Sequence, residues 1–150
     1  MKYSKLMRER IRRTTILLKE LGYEVEEGEF MDDSYSAGFE NDSGFQGGVF
    51  IDRDSKFLEF AFTFSFAPEM GEFLRERIED IMQVCYEFGC YSNLQAGRSE
   101  ISFSIFSKIY YAGLSYFSLK ETLRDFREAI EAIKTLLEIP EESEATHGDP

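Results

Sequence analysis

Apolar positions recur first at helical and then at strand spacing, and this change divides the first half of the chain into predicted elements. Residues 4 to 21 are predicted to form a helix that has Ser4 at its N-cap and ends before Gly22. Strand-like patterns follow at residues 23 to 30, 34 to 40, 44 to 52 and 56 to 66. The Asn, Asp, Ser and Gly residues between these stretches favour tight turns, so the pattern predicts an antiparallel meander.

The second half of the chain repeats this order with a helix, two strands and a helix. Pro68 is suited to the first position of a helix that ends at Gly89. Residues 91 to 96 and 100 to 111 are predicted to form a hairpin. Ser118 and Glu121 have the spacing of a capping box for the last helix. Behind that box the apolar residues are spaced by three and four: Leu119, Leu123, Phe126, Ile130, Ile133 and Leu137.

A row of phenylalanines marks the stretch 57 to 66, where rings occupy every second position: Phe60, Phe62, Phe64 and Phe66. Burial of one phenylalanine side chain is worth about 1.5–3 kcal/mol, so four rings left in water would forgo about as much as the whole stability of a domain. We therefore expect these rings to face inward, beneath the last helix. The alternative is an aromatic wall that faces a ligand.

The order of the predicted elements is α-β-β-β(-β)-α-β-β-α. Two runs of strands separated by one helix, with helices at both ends, are typical of an α+β fold in which helices cover one face of an antiparallel sheet. With 150 residues, 43% of them hydrophobic, the chain fits a single domain, which we place at residues 1 to 139. Residues 140 to 150 hold four carboxylates and no apolar anchor, and this composition predicts an acidic disordered tail.

The face of the sheet opposite the phenylalanine row has mostly small or hydroxylated side chains. A solvated face usually carries long charged side chains, whereas small residues leave room for another chain to lie on this face. A serine-rich face that only water covers is the alternative. The candidate partner-binding residues are Phe50, Ala61, Thr63, Ser65, Ser102, Ser104, Phe106 and Lys108.

Charge and cysteine usage narrow the choice of partners and compartment. The formal net charge of -12 repels both phosphate backbones and anionic lipid. Residues 1 to 20 are basic, however, and nucleic-acid binding through the first helix stays an alternative. The two cysteines, Cys85 and Cys90, form neither a CxxC pair nor half of a zinc site. With no secretory or membrane-spanning apolar run, the chain is expected to be cytoplasmic and without a membrane partner.

Motifs that would indicate catalysis, a metal or a cofactor are not found in the sequence. His147 is the single histidine, so no histidine relay and no histidine metal site can be assembled. Residues 52 to 57 begin like a calcium loop, but Lys56 and Phe57 replace its oxygen ligand and its glycine. We therefore expect a protein that is not an enzyme and needs no cofactor. A small-ligand binder or enzyme that uses carboxylates and tyrosines is the alternative, and its candidates are Tyr91, Tyr110, Tyr111 and Tyr116.

The element order, the strand "LEFAFTFSF", the strand "EISFSIFSKIYY" and the closing helix "LRDFREAIEAIKTLLE" resemble the type III secretion chaperone-like fold, which includes the YbjN-like bacterial proteins. The resemblance covers residues 4 to 138. It implies a small acidic protein, commonly a homodimer, that holds an extended segment of another protein or modulates a regulatory partner. The resemblance transfers no catalytic residue.

Overall fold

The chain has an α+β fold, as the order of its predicted elements indicates. A computed structural model describes residues 4 to 139. Within that range the chain forms three helices and an antiparallel sheet of seven strands. The helices are α1 (Lys5–Glu20), α2 (Gly71–Phe88) and α3 (Tyr116–Leu136). The strands are β1 (Glu24–Val25), β2 (Glu29–Met31), β3 (Ser34–Glu40), β4 (Gln46–Asp52), β5 (Phe57–Phe66), β6 (Tyr91–Ala96) and β7 (Ile101–Tyr110).

The strands are arranged in the order β1-β3-β4-β5-β7-β6, and β2 also pairs with β3. The stretch predicted as one strand at residues 23 to 30 is therefore two short strands, and both are antiparallel to β3. Asp32 has a φ of 56° in the tight turn that joins β2 to β3. At the other end of the order, β6 pairs with β7 alone among the strands of residues 4 to 139.

Two compact units can be distinguished. The first unit contains residues 4 to 61 and 108 to 123, and the second contains residues 62 to 107 and 124 to 139. Strands β5 and β7 and helix α3 each contribute residues to both units. The single domain expected over residues 1 to 139 stays a prediction, and each unit is described by itself.

The core of the first unit is aromatic. Phe39 of β3 makes an edge contact with Phe60 of β5, with their ring centroids 5.8 Å apart, and a similar contact with Tyr23 at 5.3 Å. Val49 pairs with Phe60 across β4 and β5, and both side chains are buried. This registry places the alternate residues of β4 and β5, including the pair Gly48 and Ala61, on the opposite face.

The core of the second unit lies between β5, β7 and the two helices that contribute to it. Phe64 and Phe103 are buried and stacked, with ring centroids 6.4 Å apart. The apolar stripe predicted for the last helix is buried, and α2 contributes a stripe of its own. The buried residues that α2, α3 and the turn after α3 contribute to this unit are Leu74, Ile81, Cys85, Phe126, Ala129, Ile130, Ile133 and Leu137.

The four phenylalanines of β5 follow the predicted inward orientation to different degrees. Phe60 in the first unit and Phe64 in the second are buried. Phe62 and Phe66 are partly exposed. The Nζ atom of Lys134 in α3 lies 5.3 Å from the centroid of the Phe62 ring, so the last helix does lie over part of this row.

Helices α2 and α3 both begin at positions that differ from the sequence prediction. Pro68 begins a short 3₁₀ turn, and α2 starts only at Gly71, although it does end at Gly89, whose φ is 70°. Helix α3 begins earlier than the predicted capping box, because Ser115 and Ser118 cap it reciprocally. The tail expected at residues 140 to 150 lies outside the described residues, as does His147.

Candidate functional site

In the first unit, the predicted partner-binding residues differ in how open they are. Phe50 is 42% exposed. Its ring lies against Gly48, since a Cβ on Gly48 would be 3.4 Å from the ring. Ala61 lies on the predicted face but is only 8% exposed, so the expectation that it is open to a partner is wrong. Lys108 is exposed, and its Nζ lies 4.5 Å from the ring centroid of Phe57, a cation–π contact.

Two shallow clefts flank the Phe50 ring. One has a volume of about 260 Å³ and is lined by Glu26, Glu27, Glu29, Ser36, Ala37, Gly38, Gly48 and Phe50. The other has a volume of about 290 Å³ and is lined by Ser34, Phe50, Ile51, Asp52, Ser55, Phe57 and Glu59. Both clefts are lined by carboxylates, which the alternative function of small-ligand binding requires. Neither cleft has a tyrosine in its lining.

Three of the candidate tyrosines lie in the first unit, and each has its own surroundings. Tyr110 contacts Phe57, and Tyr116 contacts Phe117, at centroid distances of 5.5 and 5.3 Å. Burial raises the pKa of Tyr111 to about 12, and its hydroxyl has no hydrogen-bond partner among the described residues. A neutral phenol with that pKa is poorly suited to proton transfer near neutrality.

In the second unit, the predicted face is lined with small hydroxylated side chains as expected. Thr63 and Ser65 are exposed, whereas Ser102, Ser104 and Phe106 are partly covered. The hydroxyls of Thr63 and Ser104 share a hydrogen bond of 2.8 Å across β5 and β7. Tyr91 of β6, a residue not included in the predicted face, stacks on Phe106 with ring centroids 5.4 Å apart. We name residues Thr63, Ser65, Ser102, Ser104 and Phe106 the serine-lined face.

Strand β6 is an edge strand without the features that usually block edge-to-edge pairing. Its sequence, YSNLQA, contains no charged residue and no proline, and it pairs with β7 without a bulge. Five of its six residues are exposed, and Leu94 keeps 47% of its surface in solvent. The strands at the other end of the order, β1 and β2, have only two and three residues.

The registry of β6 shows which of its main-chain groups point away from β7. The amide of Gly97 donates to the carbonyl of Glu100 at 2.9 Å, which marks these two residues as a hydrogen-bonded pair. Hydrogen-bonded and non-hydrogen-bonded pairs alternate along an antiparallel ladder. The amides and carbonyls of Ser92, Leu94 and Ala96 therefore point to the free edge.

An apolar groove runs between this edge and helix α2. It has a volume of about 270 Å³ and is lined by Gly71, Leu74, Arg75, Ile78, Leu94, Ala96 and Ile101. We call it the α2–β6 groove. Next to it Met82 is 46% exposed and accepts a hydrogen bond of 3.2 Å at its sulfur from the hydroxyl of Ser92. Exposed apolar side chains and unpaired strand groups thus occur together here.

The sequence pattern predicts β6 with its correct bounds but does not mark it as a candidate site. The signal that would have found it is the absence of charge from a short strand at the end of a hairpin. Sequence alone did not show that β6 is at the edge, because the pairing partner of each strand depends on how the chain crosses over.

Two arginines of the first helix are engaged within the first unit. The guanidinium of Arg10 donates to the carbonyls of Asp52 and Arg53, both at 3.2 Å, and lies 4.1 Å from the ring centroid of Tyr111. Arg13 donates to the carbonyl of Leu114 at 2.6 Å. These contacts hold both arginines against main-chain carbonyls of the first unit.

Neither cysteine has the environment of a nucleophile. Both cysteines are buried, and neither forms a disulfide. Burial raises the pKa of Cys85, and burial together with the nearby Cys85 thiol raises that of Cys90 to about 12. Reactive thiolates need a lowered pKa, so these cysteines are better suited to packing.

Neither a metal site nor a membrane-spanning helix is present in the part of the chain that the structure describes. Among residues 4 to 139, no three histidine, cysteine, aspartate or glutamate side chains are placed to hold a metal ion. In the same range, none of the helices has the length and apolar character needed to cross a bilayer.

Comparison with known proteins supports the fold. The chain is similar to an uncharacterized protein from Methanothermobacter thermautotrophicus, known from a crystal structure, with a TM-score of 0.67 and 15% identical residues. The similarity covers 88% of this chain and 96% of that chain. At this level of identity the likeness shows a shared fold alone. No family model and no curated protein matches the chain.

Proposed function

We propose that the chain is a non-enzymatic protein-binding module that holds an extended segment of a partner protein along β6. The observation that carries this proposal is the free edge of β6, whose outward main-chain groups at Ser92, Leu94 and Ala96 lie beside the apolar α2–β6 groove. An extended segment can add to such an edge as a further strand. Main-chain hydrogen bonds then supply affinity and the groove supplies selectivity.

The serine-lined face has a part in the same proposal. Tyr91, Asn93 and Gln95 of β6 pair with Phe106, Ser104 and Ser102, so they share that face. Alternate side chains of an added strand lie on opposite sides of the sheet. One set would therefore contact the α2–β6 groove, and the other set would lie beside the serine-lined face.

The resemblance to type III secretion chaperone-like and YbjN-like proteins agrees with this proposal, since it implies that an extended segment is held. It also implies a homodimer, and we include in the proposal both the homodimer and the cytoplasmic location expected from the sequence. Two unpaired buried cysteines support a reducing compartment. Sedimentation of the purified chain measures the dimer directly.

A capture experiment with matched variants tests the proposal. Leu94→Glu places a charge on the free edge, and Leu6→Glu makes the same change at a leucine of α1 that is 52% exposed. We expect the native chain and Leu6→Glu to retain the same proteins from a lysate, and Leu94→Glu to lose them. Circular dichroism and urea unfolding verify that both variants fold. Retention that is identical for all three chains would refute binding at β6.

The alternative functions have less support. For nucleic-acid binding, Arg10 and Arg13 would have to give up their bonds to main-chain carbonyls of the first unit. For catalysis by tyrosine, the candidates would have to converge, whereas each contacts a different aromatic ring or is buried. The clefts beside Phe50 keep small-ligand binding as a second proposal for the first unit.

A further inference from the structure

We infer that the segment accepted at β6 has apolar side chains at every second position and carries net positive charge. This inference rests on the proposed function, because it specifies the partner of the same edge. Two independent features of the second unit lead to it. The first is the pleat that an added strand must continue, and the second is the charge of helix α2.

The pleat sets the period of two. The outward groups of Ser92, Leu94 and Ala96 fix the line along which an added strand would pair. On the α2 side, side chains of that strand would meet the apolar surfaces of Ile78 and Leu94. On the other side they would lie near polar residues of β6. Matching this environment requires apolar and polar residues in alternation.

The groove has room for a substantial apolar side chain at one end. Gly71 lines this end, and a Cβ placed there would meet only the Cδ1 atom of Ile101, at 3.8 Å. The backbone at Gly71 is helical, with φ of -58°, so a larger residue is tolerated conformationally. The absent side chain leaves the groove open, and replacing Gly71 with leucine would fill it.

The charge of α2 selects a cationic segment. Its carboxylates are Glu72, Glu76, Glu79, Asp80 and Glu87, against which it has two arginines. Arg75 pairs with Glu72 at 3.5 Å, and Arg77 pairs with Glu138 at 3.0 Å. Arg75 is the one charged residue in the lining of the groove, and its charge is offset by Glu72. With a net charge of -12, the chain as a whole attracts cations and repels anions.

The same charge argues against a second copy of this chain at β6. Antiparallel pairing of two β6 strands about a twofold axis would bring the acidic α2 helices of the two copies side by side. Like charges brought together oppose association. Residues 140 to 150 do not match the groove either, since they combine four carboxylates with no alternating apolar run.

Synthetic peptides of about ten residues, the upper range of natural strands, test the inference. Three of the peptides alternate valine with lysine, with glutamine or with glutamate. The fourth is a control that has the valines and lysines of the first peptide in two separate blocks. Fluorescence anisotropy with the full chain measures their dissociation constants at several salt concentrations. We expect the alternating lysine peptide to bind at least about tenfold more tightly than the glutamate peptide at low salt, with the difference shrinking as salt screens it.

Two variants locate the binding. Ala96→Pro removes an outward amide, and Gly71→Leu fills the groove. Each variant is expected to raise the dissociation constant of the alternating lysine peptide by about tenfold or more. The block peptide is expected to bind weakly to every chain. If it binds as tightly as the alternating one, or if Ala96→Pro changes nothing, the attraction is non-specific and the inference is overturned.

Further outcomes separate the inference from the proposed function. Equal binding of the lysine and glutamine peptides at all salt concentrations would overturn the requirement for positive charge, while strand addition would stand. A stable dimer that Ala96→Pro dissociates would show that a second copy occupies β6, which also overturns the inference. Loss of captured proteins on Leu94→Glu, together with no binding of any peptide, would overturn the inference and leave the proposed function supported.

Discussion

Arg77 of α2 donates through Nε to the carbonyl of Leu136, the last residue of α3, at 3.0 Å. The same guanidinium donates to the carbonyl of Phe73 and to the carboxylate of Glu138, and it lies 3.7 Å from the Phe73 ring centroid. The last carbonyls of a helix have no partner within the helix and carry partial negative charge. Arg77 therefore satisfies the end of α3 and ties it to α2 within the second unit.

Replacing this arginine tests how much the tie contributes to stability. Arg77→Ala is expected to lower the free energy of unfolding by about 2–3 kcal/mol, because it leaves a half-buried helix end without its charged donor. Arg77→Lys keeps the charge but not the planar fork, and should recover less than half of the loss. Urea unfolding measures both. The exposed Arg75→Ala is the control, with a change within about 0.5 kcal/mol, and equal losses at the two positions would contradict the assignment.

A second prediction concerns the start of α3. The amide of Ser115 donates to the hydroxyl of Ser118 at 2.8 Å, and the amide of Ser118 donates to the hydroxyl of Ser115 at 3.1 Å. Ser115→Ala should lower the free energy of unfolding by about 1 kcal/mol, which is typical for loss of an N-cap. Glu121→Gln, at the position that the sequence pattern favoured, should leave it nearly unchanged. Thermal unfolding measures both variants. A larger loss for Glu121→Gln than for Ser115→Ala would favour the capping box predicted at Ser118 and Glu121.

A third prediction follows from the buried hydroxyl of Tyr111. Burial raises the pKa of this phenol from 10.0 to about 12, so the folded chain keeps a proton that the unfolded chain loses. The chain therefore keeps its full free energy of unfolding below about pH 10 and loses part of it as the pH rises toward 12. Tyr111→Phe should weaken this alkaline dependence and leave stability at neutral pH unchanged or slightly higher, since the hydroxyl has no partner among the described residues. Urea unfolding of both chains across this pH range tests the sign, and Tyr110→Phe, at an exposed ring, is the control.

The repeating patterns were sufficient to predict most elements of the fold. The spacing of Leu119 through Leu137 predicts a buried stripe that α3 does have, because helix periodicity reports directly on burial. The strand predicted at residues 100 to 111 is likewise present as β7, and Ile101, Phe103 and Ile105 alternate along its buried side. In these elements, local sequence and burial give the same answer.

Features that depend on strand pairing or on single side-chain contacts could not be predicted from the periodicity of the sequence. The small side chain at position 61 was expected on the open face, yet Ala61 is buried, because the exposure of a short residue depends on its neighbours. The capping pair Ser115 and Ser118 has serine where the common motif has glutamate. The candidate site at β6 depends on the strand order, which long-range contacts determine.

The last prediction tests the orientation of β6 that the proposed function requires. Ala96 points its amide to the free edge, whereas the amide of Gln95 points to β7, since the pair of Gly97 and Glu100 sets the alternation. Proline at an outward amide of an edge strand removes no ladder hydrogen bond and is tolerated there. Ala96→Pro should therefore change the free energy of unfolding by less than about 1 kcal/mol, whereas Gln95→Pro should lower it by about 2–3 kcal/mol. Hydrogen exchange at Ser104 and Ser102 of β7 provides a local measurement, with faster exchange expected in Gln95→Pro alone. The opposite ranking would mean that Ser92, Leu94 and Ala96 are bonded to β7, and that the free edge presents the other three residues of the strand.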